Sequence, residues 1–437
     1  MSKRMFVLGA AAFLALAIFP ATRCAAKASV DDGAVDHLLS AIRAGDFNSA
    51  TKDFSARMKA LSPAGLKGSW NQVYSAEGPL LSWNIFERQT LLKGNLELSV
   101  QLRFRRSTAN SVIVVAAQTG EIRSLLFKLP VTEPPYAEQA KFHSQDVNVG
   151  SYKLPGTLTI PNGKGPFPAV VLIQGSGPND RDETVGANHP FADLADGLSS
   201  RGIVVLRYDK RTYALWNIDP QKITVDVEVI QDGVAAVALL RARRDVAQDR
   251  IFVIGHSLGA MLAPEIAKKA WPVAGLVMLA PSGRKLPQLI VEQTRFLGQA
   301  SPAQLLEIER QANQLSAHKM PATQTFLNAP ASYYYDLDAR DEVAIARGLD
   351  VPILILHGSR DYPVVDEDIR DWQNGLKGDA KVQVDTFPSL NHLFIAGEGK
   401  PTPAEYFAPG HVDAAVIGTI VSFINQAGAP AHQAAAD

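Results

Sequence analysis

The sequence has one cysteine, Cys24. No disulfide can form within the chain, and no Cys/His ligand set calls for zinc, so neither a metal nor another cofactor is expected. Charge is not in excess either: 43 basic residues face 44 acidic ones. A nucleic-acid partner needs a basic surplus to neutralise phosphates, and none exists here. Beyond the N-terminus, no apolar run approaches the ~20 residues that a helical bilayer span needs. What is present is ordinary globular composition, 46% hydrophobic and 20% charged. The 437 residues are enough for two or three domains.

The N-terminus reads differently from the rest. Lys3 and Arg4 precede an apolar run, Met5 to Phe19, which Pro20 closes. Ala26-Lys27-Ala28 then resembles a cleavage site before Ser29. Charged start, short apolar stretch and small residues make residues 1–28 a secretory signal peptide by pattern. The run is short for an uncleaved anchor. Arg23 stands where a lipoprotein signal needs a small residue before Cys24. Cleavage would remove four basic residues and the only cysteine, leaving a mildly acidic periplasmic or secreted protein without a cysteine nucleophile.

The apolar period divides the remainder. Over 31–76 it is helical: Val35, Leu38, Leu39 and Ile42 share one face. Between 83 and 129 four strand-like runs are punctuated by Gly/Asn/Thr turns. Residues 29–130 are therefore expected to form a small α+β domain. Its roles stay open between a packing or homodimerising module and a wall that shapes a pocket. Residues 131–144, with Pro134-Pro135, read as a linker. From 145 to 426 strands alternate with helices, which implies a mostly parallel sheet covered on both faces. Residues 284–350 interrupt that alternation with helical patterns and are expected to form a cap. The Tyr333-Tyr334-Tyr335 run within them reads either as core or as pocket lining. The Ala/Gln/Pro-rich 427–437 reads as a disordered tail.

One stretch carries chemistry. Ile251-Phe252-Val253-Ile254 runs into Gly255-His256-Ser257-Leu258-Gly259, and a helix-compatible segment follows. Strand, sharp turn and helix with a serine at the apex is the G-x-S-x-G elbow in its required context. A serine hydroxyl needs a base, and the base needs an acid to orient it. In chain order the acid comes first. Asp361 follows the strand Ile353–Leu356, whereas Asp366 and Asp368 read as helix caps. His392 follows the strand Val382–Phe387, whereas His411 is expected to begin the last helix. His256 and His357 are expected to pack or hydrogen-bond locally. Backbone N–H groups of Leu258 and of Ser176, in the turn Gln174 to Asp182, are the candidate oxyanion donors.

Together Gly175-Ser176-Gly177-Pro178-Asn179-Asp180-Arg181-Asp182, Leu206 to Thr212, the elbow, and His357-Gly358-Ser359-Arg360-Asp361 resemble bacterial serine esterases of the α/β-hydrolase superfamily, the esterase D kind among them. The resemblance covers 145–425. It implies an α/β-hydrolase fold and carboxylesterase activity on short acyl esters, with peptidase or acyl-thioesterase activity as neighbouring alternatives. A non-catalytic binding protein is the alternative from another class. The layout of 29–130 resembles small NTF2-like or cystatin-like domains. One departure is Gln174, where the superfamily usually has His-Gly before the oxyanion turn. Asp209, Lys210 and Arg211 read as a structural ion-pair cluster.

Overall fold

The computed structural model describes residues 30–427, except 56–57, 61, 92–94, 129–131, 216–217, 299, 328 and 407. The expected signal peptide and nearly all of the expected tail lie outside the described residues. The chain divides into two compact units, 1–132 with 407–409, and 133–406 with 410–437. Among the described residues no helix is long and apolar enough to cross a membrane.

In the first unit, α1 (Val30–Ala44), α2 (Phe47–Ala50) and α3 (Pro63–Glu77) precede the antiparallel meander β1 (Leu80–Leu91), β2 (Asn95–Phe104), β3 (Thr108–Ala116) and β4 (Ile122–Lys128). Val35, Leu38, Leu39 and Ile42 are buried on α1, as their spacing requires. On β2 the buried residues alternate, Leu98, Val100, Leu102 and Phe104, so one sheet face meets the helices. Ser62 caps α3 by accepting from Gly65 N at 3.1 Å, with Pro63 at the first helical position.

The second unit is built on an eight-stranded sheet. Its strands are β5 (Phe142–Val149), β6 (Leu154–Pro161), β7 (Phe167–Ile173), β8 (Val204–Tyr208), β9 (Val246–His256), β10 (Gly275–Leu279), β13 (Ile353–Gly358) and β14 (Val382–Phe387). Their order is β14-β13-β10-β9-β7-β8-β6-β5. From β8 to β14 every pairing is parallel; β5 and β6 close the other edge antiparallel. Parallel strands covered on both faces read as unbroken apolar runs, and β10 and β13 are buried at every residue. Part of the expected linker is structured: 142–144 begin β5, because Phe142 is buried there against the second strand.

The covering helices are α4 (Pro190–Ser199), α5 (Arg211–Ala214), α6 (Gln231–Arg241), α7 (Leu258–Lys269), α12 (Asp366–Gly375) and α13 (Ala414–Ala427). A π-helical turn, Asp226–Ile230, leads into α6. Between β10 and β13 lie α8 (Leu286–Leu297), α9 (Pro302–Ser316), the two-residue strands β11 (Thr325–Phe326) and β12 (Ala329–Pro330), α10 (Ala331–Asp338) and α11 (Glu342–Arg347). Arg284 ties the start of this segment to α12 through both oxygens of the fully buried Asp368, at 2.9 and 2.8 Å.

Candidate active site

Parallel strands send all their C-terminal ends to one edge of the sheet, and the site lies there. Ile251 to Ile254 are fully buried in β9, each side chain contributing about 1.5–3 kcal/mol by leaving water. The chain then reverses at Ser257, whose φ of 53° lies in the left-handed region. The flanking glycines make the reversal feasible. A Cβ on Gly255 would overlap the Gly259 carbonyl, and one on Gly259 would overlap that of Ile173. Ser257 N donates to Leu279 O at 2.8 Å, so β10 supports the elbow. Leu258 opens α7, and its N–H is among the four that a helix cannot pair within itself.

Asp361 follows β13 and is buried. Its Oδ1 accepts from Val364 N at 2.8 Å, and its Oδ2 meets His392 Nδ1 at 2.6 Å. That contact leaves Nε2 as the ring nitrogen available to a reacting group. The His392 loop is held from both sides. Its backbone N–H donates to the Tyr406 hydroxyl at 3.2 Å, and buried Asn391 accepts from Leu393 N and Ile395 N. His256 Nε2 reaches His392 O at 2.9 Å, which joins the His392 loop to the residue preceding the serine. The turn after β7 touches the elbow as well: a Cβ on Gly175 would stand 3.1 Å from Ser257 Cβ.

A profile of the alpha/beta hydrolase family matches residues 170–408. Esterase EstD of Thermotoga maritima is 41% identical over 399 residues, 89% of this chain and 93% of that protein. The chain belongs to the α/β-hydrolase family. It is an esterase-like member. Among solved structures, an esterase of Pyrococcus furiosus is 15% identical, covers 68% of this chain and 96% of its own, and has a TM-score of 0.44. Est1E from Butyrivibrio proteoclasticus is 17% identical, with 65% and 98% covered and a TM-score of 0.44.

In this α/β hydrolase the turn after β7 is heavily braced. Gly175 O accepts from buried Lys210 Nζ at 2.7 Å and from Asn179 Nδ2 at 3.1 Å. Arg181 grips Asp209 through two bonds of 3.0 Å. Gln174 donates to Tyr208 O, which gives the departure at that position a structural role. Gly175 N donates to Glu183 Oε1 at 2.5 Å and is thereby committed. Ser176, next along, is exposed.

Several sequence expectations change at this point. Asp209, Lys210 and Arg211 form ion pairs, as expected. Their partners are Arg181, Glu228 and Asp232, which fasten three neighbouring segments. His256 is not locally bonded: its Nδ1 meets Glu183 Oε2 at 3.0 Å, across 73 residues. Burial opposes a charged His256, but Glu183 outweighs it and holds the imidazole above its usual range. His357 Nε2 bonds Asp366 at 2.9 Å, a local contact. His411 does not begin the last helix, which starts at Ala414; its Nδ1 meets Asp193 of α4 at 3.0 Å. Asp368 both caps α12 and receives Arg284. Tyr333 and Tyr334 are core: both are buried, and Tyr333 Oη donates to Glu228 Oε2 at 2.6 Å. Sequence reasoning missed Glu183, whose only local signal was an acid closing a Gly/Asp-rich turn.

Proposed function

We propose that the protein is an exported serine carboxylesterase acting on short-acyl esters through Ser257, His392 and Asp361. The observation that carries the reading is the 2.6 Å contact between His392 Nδ1 and buried Asp361, on loops that the sheet brings to the serine elbow. Asp361 holds the ring so that Nε2 can take the Ser257 proton as the hydroxyl attacks the ester carbonyl. Negative charge then develops on the carbonyl oxygen. Leu258 N–H and Ser176 N–H are the donors for it, since Gly175 N–H is already spent on Glu183. His392 returns the proton to the leaving alcohol. Water, deprotonated by the same nitrogen, then hydrolyses the acyl-enzyme. The segment 284–350 serves as the cap. Export rests on the charged, apolar and small-residue pattern of residues 1–28.

A panel of p-nitrophenyl esters of increasing acyl length, an acyl thioester and a peptide substrate tests the reading, with Ser257→Ala as control. The expected result is turnover fastest on acetate and butyrate, absent in the variant, with stoichiometric labelling of Ser257 by a fluorophosphonate. Faster turnover of the peptide or the thioester would overturn the substrate class. No labelling of a folded protein would overturn the enzyme reading.

A further inference from the structure

Around the triad lies a second acid–histidine pair that the mechanism above does not use. Glu183 and His256 are both buried, at 4% and 5% exposure. Every polar atom of the two side chains has a partner. Glu183 Oε1 accepts from Gly175 N, in the turn after β7, and Oε2 meets His256 Nδ1. His256 Nε2 meets the carbonyl oxygen of His392. The contacts join segments 73 and 136 residues apart in sequence. The three segments supply the oxyanion turn, the nucleophile and the base.

We propose that Glu183 and His256 are positioning residues, a buried carboxylate–imidazolium pair that locks the oxyanion turn, the serine elbow and the His392 loop into one frame. The proposal rests on the triad reading. Its chemical argument concerns donors. A neutral imidazole has one N–H, yet this ring faces a carboxylate oxygen and a carbonyl oxygen. A carbonyl can only accept, so Nε2 carries a proton. A carboxylate opposite Nδ1 calls for a second one. The imidazolium charge is then compensated at 3.0 Å by Glu183 in a buried setting, where charge-assisted bonds are strongest.

The charged and titratable neighbours agree with this assignment. Glu183 comes from the turn after β7. The His392 ring lies 4.6 Å away, centroid to centroid. Asp361, beyond it, adds a smaller pull toward the cation. The small cavity that His256 borders is otherwise lined by apolar residues, among them Phe191 and Leu194 of α4, Leu279 of β10 and Val416 of α13. Among the described residues that line it, none has a side chain that competes for the ring protons.

Glu183→Gln separates charge from shape. Its amide oxygen can still accept from Gly175 N, and its amide N–H can donate to Nδ1 of a neutral ring that still donates through Nε2. The wild-type frame loses one donor when pH rises through the raised His256 value, so kcat should fall on the alkaline side. In Glu183→Gln that alkaline limb should vanish, with kcat lower by about three- to tenfold and KM within about twofold. Removing both contacts in Glu183→Ala lets the turn shift, and a misplacement on the 1 Å scale costs about 10²-fold in kcat. Nitrogen-15 histidine NMR reads the pair directly: both His256 ring nitrogens protonated at pH 7 in the wild type, one in Glu183→Gln. A singly protonated wild-type ring would overturn the proposal, as would an unchanged pH profile in Glu183→Gln. Full activity in Ser257→Ala would instead overturn the triad reading, and the NMR result would still decide this one.

Discussion

Ser257 holds its backbone at φ 53° and ψ −117°, a region that costs a residue with a Cβ about 1–3 kcal/mol. The fold bears this cost to lift the hydroxyl above the sheet. The strain can be read apart from activity, because two variants that lack the hydroxyl differ in it. Ser257→Gly removes the hydroxyl and Cβ together; Ser257→Ala removes only the hydroxyl. Glycine also loses about 0.4–1 kcal/mol through its freer unfolded chain, so the strain relief is partly offset. Ser257→Gly is expected to be the more stable by about 1 kcal/mol, measured by urea unfolding of the two proteins side by side. If the alanine variant is the more stable by the full ~0.4–1 kcal/mol of the glycine penalty, the elbow stores no strain.

Where α11 meets α7, a buried carboxyl makes stability depend on pH. Burial, and then the Glu265 carboxylate of α7, push the Glu342 carboxyl up to about 8. A folded value above the unfolded one means that the native state binds this proton more tightly. The contribution is complete below pH ~4.5 and is lost as pH rises toward 8. Glu342→Gln should therefore flatten the decline and be more stable than the wild type at pH 9, by about 3–5 kcal/mol at ~1.4 kcal/mol per pKa unit. Chemical denaturation of both proteins at pH 5, 7 and 9 measures it; parallel curves would refute the assignment. This seam was not legible in the sequence, and the reason is general. The buried runs of β9, β10 and β13 announce themselves, and Asp361 can be read because it closely follows β13, whereas His392 follows the half-buried β14 and is read from chain order after the serine and the acid. Glu342 and Glu265 are acids on helices, which look solvated until packing brings them together. Glu183 is hidden in the same way, because its partner lies 73 residues on. The β11–β12 pair has two residues per strand, too few to show a period. The π-helical turn at Asp226–Ile230 alters the winding without altering which residues are apolar.

For the whole molecule, the two compact units have separate cores. The first gathers Val35, Leu38, Leu98, Val100 and Ile113 around its own sheet. The second runs from Val149 to Ile424 as one continuous cluster. Glu183, His256, Ser257, Asp361 and His392 all belong to the second unit. A unit with its own core and all of its site residues should fold and act alone. Residues 133–427 produced alone are expected to hydrolyse p-nitrophenyl acetate with kcat within about threefold of the full chain. A soluble, helical product without that activity would show that the site needs residues 30–132. The same pair of proteins distinguishes the two roles open to the first unit. A packing or homodimerising module leaves the ratio of kcat/KM for long and short acyl chains unchanged when it is removed. A pocket wall changes that ratio, because the acyl chain loses a surface that acetate never reaches. The ratio is insensitive to enzyme concentration and to the fraction of active protein, so it reports the pocket even if the truncated unit is less stable.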